Sequence, residues 1–398
     1  MPARLVPRRL RRCLARLLPW VLALAAPAAM AQQPVVIGAA MPQSGLFADL
    51  AVDLRKSLLL WQEEVNSAGG LLGRRVELQL LDDRSEWSRE DRLYEQLLEH
   101  KVDVLFGPLG SSASLGAAGV AERHRRVLVN ATGAARAVQK PSFRYTFQVP
   151  APLGSYGAGA LELVRQLGLK RIVIAARDDP SSKECAELLH EQASAAGVTS
   201  ALEFYSAGSV DFIAPINRAK AAGAEGWIAF GLPQDAAEMV KSFRRLGFAP
   251  RFVVLQGASD PDFVKRLGQD AEYAVGIATY LRSAKTPGND KFRQAFAKKW
   301  SSEPGPVAAE GYAAAKVLEE AARRAGTLES DKLREALSAL ETGTPLGHYK
   351  VDRSGMQVGV KPLLIQIQRG RARIIWPEPL AVAKWQAYPA WEDRKPIK

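Results

Sequence analysis

Short apolar runs alternate along the chain with longer segments whose apolar residues recur every three or four positions. In the first of these longer segments, residues 49–67, the side chains of Leu54, Leu58 and Trp61 fall on one helical face. Such spacing predicts an amphipathic helix, whereas a short apolar run between turn residues predicts a buried strand. We predict strands at 35–40, 75–81, 103–106, 127–129 and 143–149, separated by helices. This alternation predicts an α/β fold with a parallel sheet covered on both faces.

The Pro-Ala-Pro sequence at residues 150–152 interrupts the pattern, which then starts again. Two such series separated by a proline-rich crossing imply two doubly wound lobes of one class. The second series has predicted strands at 171–176, 199–205, 227–230, 251–255 and 275–278. Three helices, at 290–300, 307–325 and 331–340, and strands at 346–351, 360–368 and 371–375 complete the chain.

The run from residue 102 to residue 114 has the most informative chemistry. A predicted buried strand ends at Gly107, and the chain passes through Gly110, Ser111 and Ser112 into a small-residue helix predicted at 113–123. Ser111 or Ser112 is suited to cap this helix, because a serine hydroxyl accepts a hydrogen bond from a first-turn amide. A strand that turns into a helix N-terminus directs several backbone N–H groups at one spot, which favours an anion such as a carboxylate or phosphate.

The first 31 residues differ from the rest. They contain six arginines and no acidic residue, then an apolar run at 17–28, then the small residues Ala29 and Ala31 around Met30. This arrangement is typical of a cleavable secretory signal peptide, and the apolar run is too short to span a membrane. We therefore expect cleavage after Ala31 and localisation in the periplasm.

Composition narrows the class of protein further. The formal net charge of +12 falls to about +6 once the six arginines of the leader are removed, and no basic stripe with interleaved aromatics suggests nucleic-acid binding. Of the two cysteines only Cys185 follows the leader, which excludes an intramolecular disulfide. The four histidines are scattered, and no dinucleotide, P-loop or nucleophile-elbow motif is present. We expect no cofactor, no metal and no enzymatic activity.

Several segments, in their order and spacing, resemble the periplasmic binding proteins for branched-chain amino acids, the type I binding fold of ABC importers. They are VIGAAMPQSG at 36–45, VNSAGGLLGR at 65–74, LLDD at 80–83, FGPLGSS at 106–112 and GYAAA at 311–315. The resemblance implies two α/β lobes joined by three crossings, ligand held in the cleft between them, closure on binding, and docking to a membrane permease.

The same resemblance also implies which parts of the chain form each lobe. It implies a first lobe at 32–150 and 281–344 and a second lobe at 151–280 and 345–376. The tail at 377–398 is not expected to have regular structure, and its tryptophans, Trp385 and Trp391, either pack back on a lobe or mark a partner contact. We expect a monomer.

Ligand-binding residues are expected at the carboxyl edge of the sheets, where ligands bind in open α/β folds. The resemblance implies that Ser111 and backbone groups of the next loop, Ala131 to Gly133, hold a ligand carboxylate. The adjacent Asp82 and Asp83 are not expected to bind metal, and Asp83 is expected to cap a loop or brace the hinge. The full set of predicted site residues is Gln43, Ser44, Phe47, Ser111, Ser112, Ala131, Thr132, Gly133 and Gln256.

Other residues of the family pattern are replaced. Relatives that grip an α-ammonium have a Thr where this chain has Ala134, a Tyr near Leu232 and an acidic residue near Gln256, and the usual Tyr-Gly becomes Ser181-Ser182. A buried ammonium without a carboxylate partner is costly, by several kcal/mol. We therefore expect a carboxylate that lacks an ammonium, or a small amide, over a free α-amino acid.

The sequence thus predicts the solute-binding component of an ABC importer. Two alternatives stay open. One is a sensory module whose ligand-bound form docks to a signalling partner. The other is an exported hydrolase that uses Ser111, which requires a histidine within hydrogen-bonding reach of that hydroxyl.

Overall fold

The computed structural model describes residues 33–140 and 142–394. The predicted signal peptide lies outside the described residues. Within them, fourteen strands and eleven α-helices follow the predicted alternation closely. The strands are β1 Val35–Met41, β2 Val76–Asp82, β3 Val104–Phe106, β4 Leu128–Asn130, β5 Thr146–Gln148, β6 Arg171–Arg177, β7 Thr199–Tyr205, β8 Gly226–Phe230, β9 Phe252–Leu255, β10 Val275–Ala278, β11 Thr342–Thr344, β12 Gly347–Tyr349, β13 Leu363–Gln368 and β14 Arg371–Trp376.

The helices are α1 Ala48–Ser67, α2 Glu90–Glu99, α3 Ser111–Arg123, α4 Ala158–Gln166, α5 Pro180–Ala195, α6 Ile213–Ala221, α7 Pro233–Arg245, α8 Pro261–Leu267, α9 Asn289–Trp300, α10 Pro306–Ala325 and α11 Ser330–Ala339. Helix α8 is absent from the prediction. Its start follows the N-cap rule nonetheless, because the Asp260 carboxylate accepts a hydrogen bond from the Asp262 amide and proline occupies the first turn.

Two sheets form the cores of two lobes. The first has the strand order β2-β1-β3-β4-β5, with every pair parallel. The second has the order β14-β13-β10-β9-β8-β6-β7, in which β13 and β14 are antiparallel to their neighbours. This confirms the α/β class and the two doubly wound lobes predicted from the sequence.

The late helices return to the first lobe. On α10 the Tyr312 hydroxyl donates to Glu64 of α1 at 2.5 Å, and Glu319 accepts from the Trp61 indole at 3.0 Å. Strands β13 and β14 then join the second sheet. The chain therefore passes between the lobes more than once, although the residue boundaries drawn from the sequence stay predictions.

The segment that follows β5 and the segment between β12 and β13 are hydrogen-bonded to each other. The buried Gln357 donates from Nε2 to the Val149 carbonyl at 3.1 Å, and its Oε1 accepts from the amides of Lys350, Gly359 and Val360. The Gln148 amide donates to the Gly355 carbonyl at 2.9 Å. Because Gln148 is the last residue of β5, the later segment is bonded both to the edge of the first sheet and to the segment that leaves it.

Several predicted elements are wrong in detail. The single strand predicted at 346–351 is a short hairpin, β11–β12, because Pro345 and Leu346 form a turn between its strands. The sequence also predicts a helix from about Ser155 to Leu167, but the chain forms a 3₁₀ turn at Leu153–Ser155 and becomes α-helical only at Ala158. Gly154 and Gly157 lie in this stretch, and glycine disfavours regular helix.

Candidate functional site

The turn between β3 and α3 begins its helix with a different cap from the one predicted. Gly110, with φ of 87°, is the N-cap residue, and Ser111 and Ser112 are the first residues of the helix itself. Glycine suits this position because L-residues with side chains rarely adopt a positive φ. The amides of Ser111, Ser112 and Ala113 cannot bond within the helix, and no other described residue accepts from them. Three donors are therefore directed beyond the helix end.

The Ser111 hydroxyl connects this turn to the loop after β4. Its oxygen accepts from the amides of Ala134 and Ala135, both at 3.1 Å. A serine oxygen has two lone pairs and one proton. With both lone pairs engaged, the hydroxyl proton remains available to donate to a ligand oxygen.

The loop after β4 is held by its own side chains. Thr132 Oγ1 accepts from the Gly110 amide and donates to the Pro108 carbonyl, both at 2.8 Å. The buried Asn130 bonds both the amide and the carbonyl of Gly133. Since the Thr132 hydroxyl proton is engaged by the Pro108 carbonyl, this side chain has no proton left to donate to a ligand.

The first βα loop carries Gln43, Ser44 and Phe47 and is organised by Asp82. Strands β1 and β2 are in a register that places Met41 beside Asp82 at the carboxyl edge. The Asp82 carboxylate accepts from the amides of Gln43 and Ser44 and from the Ser44 hydroxyl at 2.7 Å. Burial raises the pKa of Asp82 somewhat, but the Ser44 hydroxyl and the surrounding amides outweigh it and lower that pKa to about 2.

Phe47 in the same loop leaves its ring 39% exposed at the rim of the first lobe. The Gln43 side chain donates to the Leu80 carbonyl at 3.2 Å. Of the three residues predicted here, Phe47 therefore has the side chain most available to a ligand.

On the second lobe, Gln256 follows β9 and is half-buried. It lines one narrow cavity together with Leu232, Tyr205 and Met239. The structure thus brings together Leu232 and Gln256, the two positions at which the sequence lacks the expected tyrosine and acid.

A charged cluster beside this cavity organises the second lobe. Asp235 accepts from the Leu232 amide at 3.0 Å and lies 3.5 Å from the Arg177 guanidinium. The Asp235 side chain is buried, although acids that follow strands are more often solvated. Asp179, another residue of this edge, caps α5 by accepting from the Ser182 amide and hydroxyl, both at 2.9 Å.

Comparison with known proteins is consistent with this architecture. The sequence profile of the periplasmic binding protein family matches residues 34–371. The chain belongs to this family. A curated relative, the leucine-, isoleucine-, valine-, threonine- and alanine-binding protein of Pseudomonas aeruginosa, is 23% identical over 329 residues, which cover 82% of this chain and 88% of the relative.

Two solved structures share the fold of this periplasmic binding protein. A putative branched-chain amino acid ABC transporter protein from Silicibacter pomeroyi has a TM-score of 0.79 and 20% identity, covering 90% of this chain and all of its own. A solute binding protein from R. palustris in complex with benzoate has a TM-score of 0.69 and 18% identity, covering 88% of this chain and 98% of its own. The fold is therefore that of the type I periplasmic binding proteins.

The hydrolase alternative finds no support in the site of this binding protein. Each of the four histidines has a partner other than Ser111: His100 contacts Gln79, His124 contacts Glu95, His190 contacts Ser200 and His348 contacts Glu341. No hydrogen bond joins any of these histidines to the Ser111 hydroxyl, which among the described residues bonds the amides of Ala134 and Ala135. In those same residues no cluster of three or more potential metal ligands occurs.

Sequence reasoning found the loops but missed the residues that shape them. Asn130 and the loop-organising role of Asp82 were not predicted, although each is the last residue of a parallel strand, a signal that could have identified it. None of the helices in the described part of the chain has both the length and the apolar character needed to cross a bilayer.

Proposed function

We propose that this periplasmic binding protein captures a small carboxylate, amino-acid-like solute or amide in its cleft and delivers it to an ABC permease in the inner membrane. The observation that carries the proposal is the convergence of unpaired donors on the first lobe, from the amides at the start of α3 and the Ser111 proton. A helix N-terminus with free amides stabilises a carboxylate through both hydrogen bonds and the helix dipole.

The relatives support the ligand class. The Pseudomonas aeruginosa relative is named for binding leucine, isoleucine, valine, threonine and alanine, and the R. palustris structure holds benzoate. All of these compounds carry a carboxylate, the group that the first-lobe donors fit. In this proposal, residues 43–47 contact the ligand from the first lobe and Gln256 contacts it from the second. The lobes close only around a ligand that touches both of them.

Thermal unfolding of the exported protein tests the proposal. Screening branched-chain amino acids, aromatic acids, short aliphatic acids and amides should identify at least one compound that raises the unfolding temperature. A ligand present at 100 times its Kd stabilises the folded state by about 2.7 kcal/mol. If no compound in these classes stabilises the protein, the proposal is wrong.

Ser111→Ala tests the site itself. We expect it to weaken the compound found in the screen by about 1–2 kcal/mol, because one hydrogen bond to a charged group is lost. The control is Ser338→Ala, since Ser338 donates only to the Arg334 carbonyl on the exposed side of α11. Equal affinities of the two variants in calorimetry would remove Ser111 from the site.

A further inference from the structure

Glu310 on α10 is a buried carboxyl group without a partner. It is 9% exposed and is flanked by the buried Ala308, Ala309 and Ala313. No other described residue donates a hydrogen bond to it or forms an ion pair with it. Burial alone raises the pKa of Glu310 to about 8.

The other two glutamates of α10 are paired. Glu319 bonds Lys316 at 2.7 Å and Arg323 at 3.1 Å, and Glu320 bonds Arg324 at 3.0 Å. Glu310 is therefore the exception on its own helix. Leaving a buried carboxyl group unpaired costs stability, so a protein that retains one gains something from it elsewhere.

A second unpaired polar group lies close to Glu310 and comes from the other lobe. Tyr156 is 8% exposed, and its hydroxyl bonds no other described residue. Burial first, and then the charge of Glu310, raise the pKa of Tyr156. The two groups are thus within electrostatic reach of each other, one on α10 of the first lobe and one just before α4 of the second.

A series of hydrogen bonds links the backbone of Tyr156 to the Ser111 hydroxyl. The Ser111 hydroxyl accepts from the Ala134 amide, and the Ala134 carbonyl accepts from the Leu153 amide at 2.9 Å. The Leu153 carbonyl accepts in turn from the Tyr156 amide at 3.0 Å. Helix α10 also packs against β4, the strand that leads into residues 131–133. The turn that precedes Tyr156 and the helix that carries Glu310 therefore both adjoin the loop after β4.

We propose that Glu310, assisted by the Tyr156 hydroxyl, binds a cationic nitrogen of the ligand. The ligand is then a zwitterion, with its carboxylate on the Ser111 side and its ammonium against Glu310. This inference rests on the proposed function and names its ligand class. It replaces the sequence-based expectation of a ligand without an ammonium, because the acid absent near Leu232 and Gln256 is supplied from the opposite lobe.

Calorimetry with matched pairs of compounds tests the proposal. The pairs are leucine with 4-methylpentanoate and 4-aminobutanoate with butanoate, which differ only in the amino group. We expect the amino member of at least one pair to bind about tenfold tighter or more. Since Glu310 is mostly protonated at pH 7 before binding and ionised beside a cation, binding should also release up to one proton, measured in buffers of different ionisation enthalpy.

Glu310→Gln keeps the shape and removes the charge. We expect it to abolish both the amino preference and the proton release, while the simple acid binds as it does to the unmodified protein. Tyr156→Phe, which removes one hydroxyl, should reduce the amino preference without affecting the acid. Glu320→Gln is the matched control on the exposed side of α10 and should change neither quantity.

The outcomes separate the two proposals. If the simple acids bind but the amino group adds nothing, or if Glu310→Gln retains the preference and the proton release, the role of Glu310 is wrong and the carboxylate site stands. If neither acids nor amino acids bind, both proposals fail.

Discussion

Two hydroxyl side chains near the same turn differ in the hydrogen-bonding capacity that they have left. Ser111 uses both lone pairs on backbone amides and keeps its proton, whereas Thr132 donates its proton to the Pro108 carbonyl. Residue type alone predicts neither outcome, since each hydroxyl can donate and accept. Only the positions of the neighbouring backbone groups distinguish a binding residue from a structural one.

The lowered pKa of Asp82 makes the stability of the folded protein depend on pH. Its folded-state pKa, about 2, lies below the ordinary value of 3.8, so its stabilising effect is complete above pH 4 and is lost as the pH falls toward 2. Asp82→Asn should therefore lower the free energy of unfolding at pH 6 by about 1 kcal/mol, after allowance for solvent screening, and by much less at pH 2.5. Urea unfolding at the two pH values measures the difference.

The control for Asp82 is Asp290→Asn. Asp290 is exposed and pairs with Lys285 at 3.1 Å, without any backbone amide in its site. A surface pair of this kind contributes little. A loss of stability at pH 6 in Asp290→Asn equal to that in Asp82→Asn would contradict the role assigned to the first loop.

At the scale of elements, the close approach of α10 to α1 positions both Glu310 and the first loop. Gly311 makes it possible: a Cβ at this position would lie 2.4 Å from Ser57 Oγ and 2.6 Å from Leu54 Cδ1. Both neighbours are fully buried and the Ser57 hydroxyl is bonded to the Leu54 carbonyl, so neither can move away freely. The glycine is retained in the helix despite its low helix propensity because the interface requires it.

Gly311→Ala should therefore destabilise the protein by about 1–3 kcal/mol through overpacking. The matched control is Gly119→Ala on α3, where the nearest atom to the new Cβ is 3.5 Å away, an ordinary contact. This control should gain about 0.5–1 kcal/mol from helix propensity. Denaturant unfolding of both variants measures these two changes in the free energy of unfolding, which should have opposite signs. A Gly311→Ala variant more stable than the unmodified protein would refute the packing argument.

The whole molecule includes the C-terminal tail as part of the second lobe. The Trp385 ring packs edge-on against Phe252 of β9, and the Trp391 indole donates to the Phe248 carbonyl at 3.0 Å. Tyr388 is buried between them, and the Gln366 side chain donates to the Gln386 carbonyl at 2.6 Å. Of the two possibilities left by the sequence, packing on a lobe is confirmed.

A chain that ends at Pro377 should lose roughly 3 kcal/mol or more of unfolding free energy, because three aromatic side chains no longer cover the second lobe. Hydrogen exchange should increase on β9 and β13 and remain unchanged on β1 and β3 of the first lobe. Val382→Ser, which changes an exposed side chain of the same tail, should leave both quantities unaffected. Equal exchange in the truncated and complete chains would show that the tail is dispensable.

The sequence by itself determined the α/β class, most strands and helices, and the loops at which the site lies, because these depend on local periodicity and on where parallel strands end. It did not determine which atoms in those loops are free, nor that Glu310 and Tyr156 are both buried without a hydrogen-bond partner among the described residues. Glu310 is buried because α10 packs against α1 and β4, which are distant from it in the chain. Burial and the absence of a partner are properties of that packing, so only the tertiary structure could decide them.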